Sequence, residues 1–301
     1  MRVIRVSGFI LLFALIISIA QAQEPLSLKL WPKGAPGVTA NASAESVVNR
    51  PDLDGAKGKV TRITNVTDPV MTIYRAGENN TGSAMLVFPG GGYRWLAFDI
   101  EGTEICEWLV SKGVNCVLVK YRVYLDQKPE PWKQPLEDAQ RAMGIVRQHA
   151  KEWKIDPAKI GVMGFSAGAH LSAALSNHPQ RTYAKVDSAD ELDCRPNFAV
   201  LLYPGMIRRS ADDQRLSVAV QPNANTPPTF LFQTEDDPVH VENSLLYYGA
   251  LAAAKVPAEM HLYPTGGHGY GMRAKYNAVA GIWPELLMKW LADLKIIHGN
   301  K

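Results

Sequence analysis

Short, continuously apolar runs recur along the chain, and most are followed by an apolar stripe at helical spacing. Residues 83–88, 114–121, 160–165, 198–203, 229–233 and 258–263 read as strands buried on both faces. Helical patterns fall over 100–112, 136–153, 167–175, 241–254 and 282–297. Residues 60–75 instead alternate, with Ile63, Val66, Val70 and Ile73 apolar, which predicts one or two antiparallel edge strands. Regular alternation of strand and helix predicts one α/β domain, a mostly parallel, doubly wound central sheet flanked by helices. No stretch is long enough for a large cap or a second folded domain, and there is no repeat or low-complexity linker.

Three segments fall outside this rhythm. Residues 23–54 are rich in Pro, Gly, Ala and Asn and read as a turn-dense lead-in wrapping the surface. Residues 180–195 are a charged surface excursion. Residues 208–225 are an irregular polar insertion with the character of a small flap.

Composition adds bounds. The 301 residues are 47% hydrophobic and 20% charged, an ordinary globular balance. Arg2 and Arg5, an apolar run over 9–19 and Ala20-Gln21-Ala22 form a signal-peptide pattern, with cleavage expected after Ala22 and 23–301 as the single mature domain. The run is shorter than the ~20 residues that span a bilayer. Secretion or export to a periplasm is therefore the expected localisation. The formal charge is +3, and losing Arg2 and Arg5 leaves a near-neutral chain. That gives no electrostatic case for nucleic acid or for an anionic membrane. Cys106, Cys116 and Cys194 match no zinc or redox spacing. Cys106 falls in a helical pattern and Cys116 in a strand pattern, so buried free thiols are expected. No metal and no cofactor is expected, because no ligand motif is present.

The chemistry centres on Gly164-Phe165-Ser166-Ala167-Gly168, set between a strand and a small-residue helix. In that context Gly-x-Ser-x-Gly is a nucleophile elbow, a sharp turn that lifts the serine hydroxyl clear of the backbone. Such a serine needs an acid and then a histidine further along. The strand over 229–233 runs into Glu235-Asp236-Asp237, at the carboxyl end where α/β enzymes place chemistry. Asp237 is the favoured acid; Asp236 and Glu235 are alternatives that sequence alone does not separate. His268, in a glycine-rich loop after the last strand, is the expected base. His170, one helical turn past Ser166, is read as a packing or supporting residue, and His240 as a minor alternative base. Pro89-Gly90-Gly91-Gly92-Tyr93 follows the strand over 83–88. Gly91 and Gly92, with the N–H of Ala167, are the expected oxyanion-hole donors. Tyr93, Trp95, Tyr203 and Tyr270 are expected near the rim of the pocket.

On these residues the chain resembles the α/β-hydrolase superfamily over nearly all of its mature length. Leu30-Trp31-Pro32 with Gly34-Ala35-Pro36-Gly37, the glycine loop, the elbow, Asp236-Asp237-Pro238-Val239 and Gly267-His268-Gly269 make it similar to the secreted acetylxylan-esterase-like carbohydrate esterases of bacteria. Some of those are loosely labelled as xylanases. The resemblance implies a serine esterase without cofactor, acting on an acetylated carbohydrate or another small ester. Pro89 stands where many relatives have histidine, and Ala169 where glycine is common. A glycoside hydrolase would need paired carboxylates at a sugar bond, which the serine triad does not supply. Short-chain carboxylesterase and feruloyl-type esterase are the alternatives. A serine peptidase or a catalytically dead binding protein of the same fold fits less well.

Overall fold

The computed structural model describes residues 24–38, 43–126, 129–210 and 212–298. The signal-peptide reading of residues 1–22 lies outside the described residues.

The amino-terminal part forms β1 (Leu26–Lys29), β2 (Ser46–Val48), the short helix α1 (Pro51–Asp54), β3 (Arg62–Thr64) and β4 (Val70–Tyr74). Then come β5 (Ala84–Phe88), β6 (Trp95–Ala97), α2 (Glu104–Ser111), β7 (Asn115–Lys120) and α3 (Lys133–Gln148). The elbow joins β8 (Ile160–Phe165) to α4 (Ala167–Asn177). The chain closes with β9 (Ala199–Leu202), β10 (Thr229–Thr234), α5 (Glu242–Ala253), β11 (Ala258–Tyr263) and α6 (Trp283–Asp293).

Eight strands make the central sheet in the order β1-β4-β7-β5-β8-β9-β10-β11. β1 and β4 pair antiparallel, as does β4 with β7, and every pair from β7 to β11 is parallel. Side chains alternate between faces, and each face has its own core. Leu86, Val117, Val162 and Leu201 pack with Val146 of α3, Leu171 of α4 and Leu251 of α5. Their sheet neighbours Met85, Val87, Met163 and Val200 pack with Leu109 of α2 and with Leu287 and Leu291 of α6. Helices on both faces explain why the strands read as unbroken apolar runs.

The alternating stretch over 60–75 splits between two sheets. β4 joins the central sheet, while β3 sits between β2 and β6 in a small antiparallel sheet. That second sheet is invisible in the sequence because its strands are only three residues long.

The lead-in does more than wrap the surface. Leu30 and Trp31 are core residues, and Leu30 N–H bonds to the Pro69 carbonyl at 3.1 Å. The Trp31 indole donates to Asp138 of α3 at 2.7 Å, and Asp138 also takes the fully buried Arg122 guanidinium at 2.9 Å. Arg122 reaches on to the Pro36 carbonyl. One buried ion pair thus ties lead-in, β7 exit and α3 together. Breaking such a pair from one side costs about 3–5 kcal/mol, because the other charge is left buried alone.

The expectation of free thiols at Cys106 and Cys116 is corrected: the two form a disulfide from α2 to β7, with Cα atoms 5.1 Å apart. The helical stripe of α2 faces the sheet, so both side chains point into the same layer. Cys194 is free, and it is buried although it lies in the stretch read as a surface excursion.

Candidate active site

The elbow's shape follows from its glycines. A Cβ on Gly164 would overlap the Gly168 carbonyl, and a Cβ on Gly168 would overlap the Phe88 carbonyl. Helix α4 can therefore lie directly on β5 and β8 only with glycine at both places. Ser166 between them has φ +53° and ψ −116°. This is a costly conformation for a residue with a side chain, on the order of 1–3 kcal/mol, and strain of this kind gathers at functional sites. The Ser166 N–H bonds to Leu202 of β9 at 3.0 Å, and its carbonyl accepts from Ala169 and His170, so the turn is held from both sides.

Three parallel strands deliver the rest. β5 ends at Phe88 before the glycine loop, β8 at Phe165 before Ser166, and β10 at Thr234 before the acidic loop. Ser166 Oγ lies 2.8 Å from His268 Nε2. His268 Nδ1 lies 2.9 Å from Asp237 Oδ2. The Asp237 side chain is fully buried. It also accepts from Gln233 Nε2 at 3.1 Å and from the Val239 N–H at 2.7 Å. The structure thus brings Ser166, Asp237 and His268 together in one hydrogen-bonded line and separates the two aspartates. Asp236 is exposed and points the other way, accepting the N–H groups of Gly266 at 3.1 Å and Gly267 at 2.8 Å. Those bonds hold its carboxyl below the usual range. Asp236 is a clamp on the backbone behind His268, and Thr234 Oγ1 adds a bond to the Gly267 carbonyl at 3.0 Å. Glu235 is exposed at the surface.

Gly91 and Gly92 line the same cleft as Ser166 and His268, with φ +135° and +62°. A Cβ on Gly91 would run into the Trp95 backbone. Ala167 opens α4, where the first N–H groups have no partner within the helix. All three expected donors therefore border Ser166.

Glu101 was not singled out in the sequence. It lies in a π-helical turn, Asp99–Thr103, just before α2. Its buried carboxyl accepts the Gly90 N–H at 2.7 Å and the Tyr203 hydroxyl at 2.8 Å. Tyr203 in turn accepts the Gly271 N–H at 3.1 Å and packs edge-on against the His268 ring. One carboxyl therefore ties the glycine loop to the histidine loop. Burial pushes it up from the ordinary carboxyl value, against those two hydrogen bonds. A glutamate in a helical stretch gives no sequence signal for this. The interrupted helix, with a π turn at a functional site, is visible only in the fold.

The cleft over Ser166 has a volume of about 570 Å3. Lys57, Arg94, Trp95, Glu101 and Pro238 are among its walls. Lys57 donates to the His268 carbonyl at 3.1 Å. Of the four aromatic residues expected at the rim, only Trp95 lines this cleft. Tyr93, Tyr203 and Tyr270 are buried beneath it. A larger groove between α2 and α6 contains none of the site residues. Among the described residues no group of three or more His, Cys, Asp or Glu could hold a metal, and no helix is long and apolar enough to cross a membrane.

Known proteins share this arrangement of sequence and fold. The BD-FAE family profile matches residues 71–202, from β4 through the elbow to β9. The crystal structure of an acetyl ester-xyloside bifunctional hydrolase from Caldicellulosiruptor lactoaceticus superposes with a TM-score of 0.67 at 34% identity, covering 76% of this chain and 89% of that one. The chain belongs to the acetylxylan-esterase-like α/β hydrolases. An acetylxylan esterase of Xylanibacter ruminicola is 32% identical over 72% of this chain and 45% of its own length. An endo-1,4-beta-xylanase B of Butyrivibrio fibrisolvens is 32% identical over 67% of this chain and 34% of its own. The chain thus spans less than half the length of these curated relatives of the hydrolase.

Two departures from the family pattern have structural settings. Pro89 follows β5 directly, and its carbonyl accepts the Tyr121 hydroxyl. Ala169 is wholly buried in α4, where its methyl group packs in the sheet core.

Proposed function

We propose that this chain is a serine carbohydrate esterase, removing acetyl groups from xylan or xylo-oligosaccharides through an acyl-enzyme. The observation that carries the reading is the unbroken line Ser166 Oγ, His268, Asp237 at 2.8 and 2.9 Å, opening into a cleft bordered by Gly91 and Gly92. The acetyl substrate is supported by the relatives, two of which carry acetyl ester or acetylxylan in their names.

In this mechanism His268 Nε2 takes the Ser166 proton as Oγ attacks the ester carbonyl. Asp237 fixes the tautomer, with the proton on Nδ1, and stabilises the imidazolium. The N–H groups of Ala167, Gly91 and Gly92 receive the oxyanion; each such donor is worth about 2.7–4 kcal/mol in the transition state. His268 then gives its proton to the departing sugar oxygen. In the second half it draws a proton from water, which attacks the acyl carbonyl; Ser166 leaves with the proton restored and acetate is released. Glu101 acts through the loops, as a positioning residue.

Export belongs to the same proposal. The leader over residues 1–22 would place the enzyme with polymeric substrate outside the cytoplasm, where a Cys106–Cys116 disulfide persists.

Stoichiometric labelling by a fluorophosphonate, lost in Ser166→Ala, tests the nucleophile. Acetate release from acetylated xylan, compared with hydrolysis of small aryl acetates, tests the carbohydrate assignment. Cleavage of aryl acetates alone would leave a short-chain carboxylesterase.

A further inference from the structure

A second cleft has a volume of about 440 Å3 and does not include Lys57 in its lining. Trp132, His170, Arg208, Arg209, Val239 and His240 contribute to its walls. The link to the site is Gly205: a Cβ there would meet Val239 Cγ1 at 2.9 Å and Ser166 Oγ at 3.8 Å. His170 is a second link, because its N–H bonds to the Ser166 carbonyl.

The chemistry of this cleft is one-sided. Two arginines and two histidines line it, and no Asp or Glu among the described residues does. Arg209 leans on the Leu216 carbonyl at 3.2 Å and lies 4.0 Å from Asp213. The half-buried Arg208 guanidinium has neither ion pair nor hydrogen bond among the described residues. Its backbone is fixed nonetheless. Asn243 Oδ1 accepts the N–H groups of Ile207 and Arg208 at 3.0 and 3.1 Å, and Arg208 bridges to Leu216 across the loop. A guanidinium on a fixed backbone, without a counter-charge among the described residues, can pair with one brought by a ligand.

His170 points the same way independently. It is 2% exposed, and its Nδ1 is 2.8 Å from the Tyr93 hydroxyl. Burial lowers its pKa to about 3, so the ring is neutral. We assign the Tyr93 O–H, which has no other acceptor among the described residues, as the donor to Nδ1; the ring proton then sits on Nε2. That Nε2–H has no protein partner among the described residues and is not sealed from the cleft. An open donor on an otherwise buried ring can be taken up by an acceptor entering the cleft.

We propose that this second cleft is a subsite for a carboxylate group carried by the ester substrate, with Arg208 pairing the charge and His170 donating Nε2–H. Trp132 supplies a flat wall suited to a sugar ring. The inference rests on the esterase reading and narrows it from acetylated carbohydrate to esters that also bear an acid. The carboxylate could sit on the alcohol side, as in a uronic acid branch, or on the acyl side, as in a half-ester of a dicarboxylic acid.

Two matched pairs separate these sources. The first is acetylated xylo-oligosaccharide with and without a uronic acid branch. The second is 4-nitrophenyl hydrogen succinate against 4-nitrophenyl butyrate. The expected result is a kcat/KM preference for the acidic member of one pair, reduced about tenfold in Arg208→Gln and expressed mainly in KM, since a charge-assisted hydrogen bond is worth a factor of that order. Lack of preference in both pairs, or a preference that survives Arg208→Gln, overturns the subsite. A ligand-observed NMR titration with glucuronate and with xylose reads the cleft without turnover. Selective glucuronate binding that weakens in Arg208→Gln sustains the subsite even if no ester is cleaved; equal binding of both sugars contradicts it.

Discussion

Asp236 and Asp237 are adjacent in sequence and hold the same loop from opposite ends: Asp237 holds the His268 ring and Asp236 the backbone N–H groups of Gly266 and Gly267. The two carboxylates therefore have different functions and should fail differently. Asp237→Asn keeps the shape but leaves an amide where the imidazole N–H needs an acceptor of fixed charge. A fall in kcat of about 10⁴ is expected, by analogy with the same change in serine proteases. Asp236→Asn keeps one acceptor oxygen and loses the charge. A fall of about tenfold is expected, from one lost and one weakened bond to the Gly266 and Gly267 N–H groups. Steady-state kinetics on an aryl acetate compares them; equal losses would contradict the division of roles.

Glu101→Gln tests the tie between the two loops. Gly90 N–H and the Tyr203 hydroxyl reach different oxygens of the carboxyl, and an amide has an NH2 group in place of one of them, so one donor loses its acceptor. The expected result is a kcat lowered by about tenfold with KM little changed, since ground-state binding does not use the oxyanion donors. There is also a pH signature. Burial raises the folded-state value of Glu101, so the folded protein holds this proton more tightly than the unfolded chain does. Its contribution to stability is full below the ordinary carboxyl value of 4.5 and is lost as pH rises through the raised one. Urea unfolding of wild type and Glu101→Gln across that range should converge at the acidic end and show the wild type losing stability relative to the variant as pH rises. Parallel curves would mean the group is not buried as described.

His170 predicts the opposite slope. Its value falls from 6.5 to about 3 on folding, so the folded state excludes a proton that the unfolded chain takes. The stability is present above pH 6.5 and lost as pH falls toward 3. From this group alone, unfolding free energy at pH 5 should be about 2 kcal/mol lower than at pH 8. His170→Gln should lose most of that dependence. An unchanged slope in the variant would show that other groups carry it.

The Cys106–Cys116 bond gives a simple count. Unfolded without reductant, the protein should show one reactive thiol, Cys194, and with reductant three. Replacing Cys106 and Cys116 together by serine should cost about 2–3 kcal/mol, the loop-closure value for a short loop. Three thiols without reductant in protein exported through an oxidising compartment would contradict the pairing.

Much of this was legible in the sequence because the elements concerned are long or locally constrained. The central strands are buried on both faces, so their apolar runs stand out. The elbow is written in two glycines that nothing else can replace. Ser166 and His268 follow from chain order. Choosing between Asp236 and Asp237 needed the direction in which each side chain leaves the loop, which neighbouring identical residues do not reveal. Glu101 and the open side of His170 depend on contacts between segments far apart in the chain, Gly90 with Tyr203 and Tyr93 with His170. The disulfide was missed because an odd cysteine count hides which two of the three meet. The small sheet of β2, β3 and β6 was missed because three residues carry too little periodicity.

The most direct measurement of the central reading is acetate release from acetylated xylo-oligosaccharides by the wild type and by Ser166→Ala. The account predicts release by the wild type and a loss of about a million-fold in the variant, the scale seen when a triad nucleophile is removed. Release that persists in Ser166→Ala, or a wild type inert toward both these oligosaccharides and aryl acetates, would contradict it.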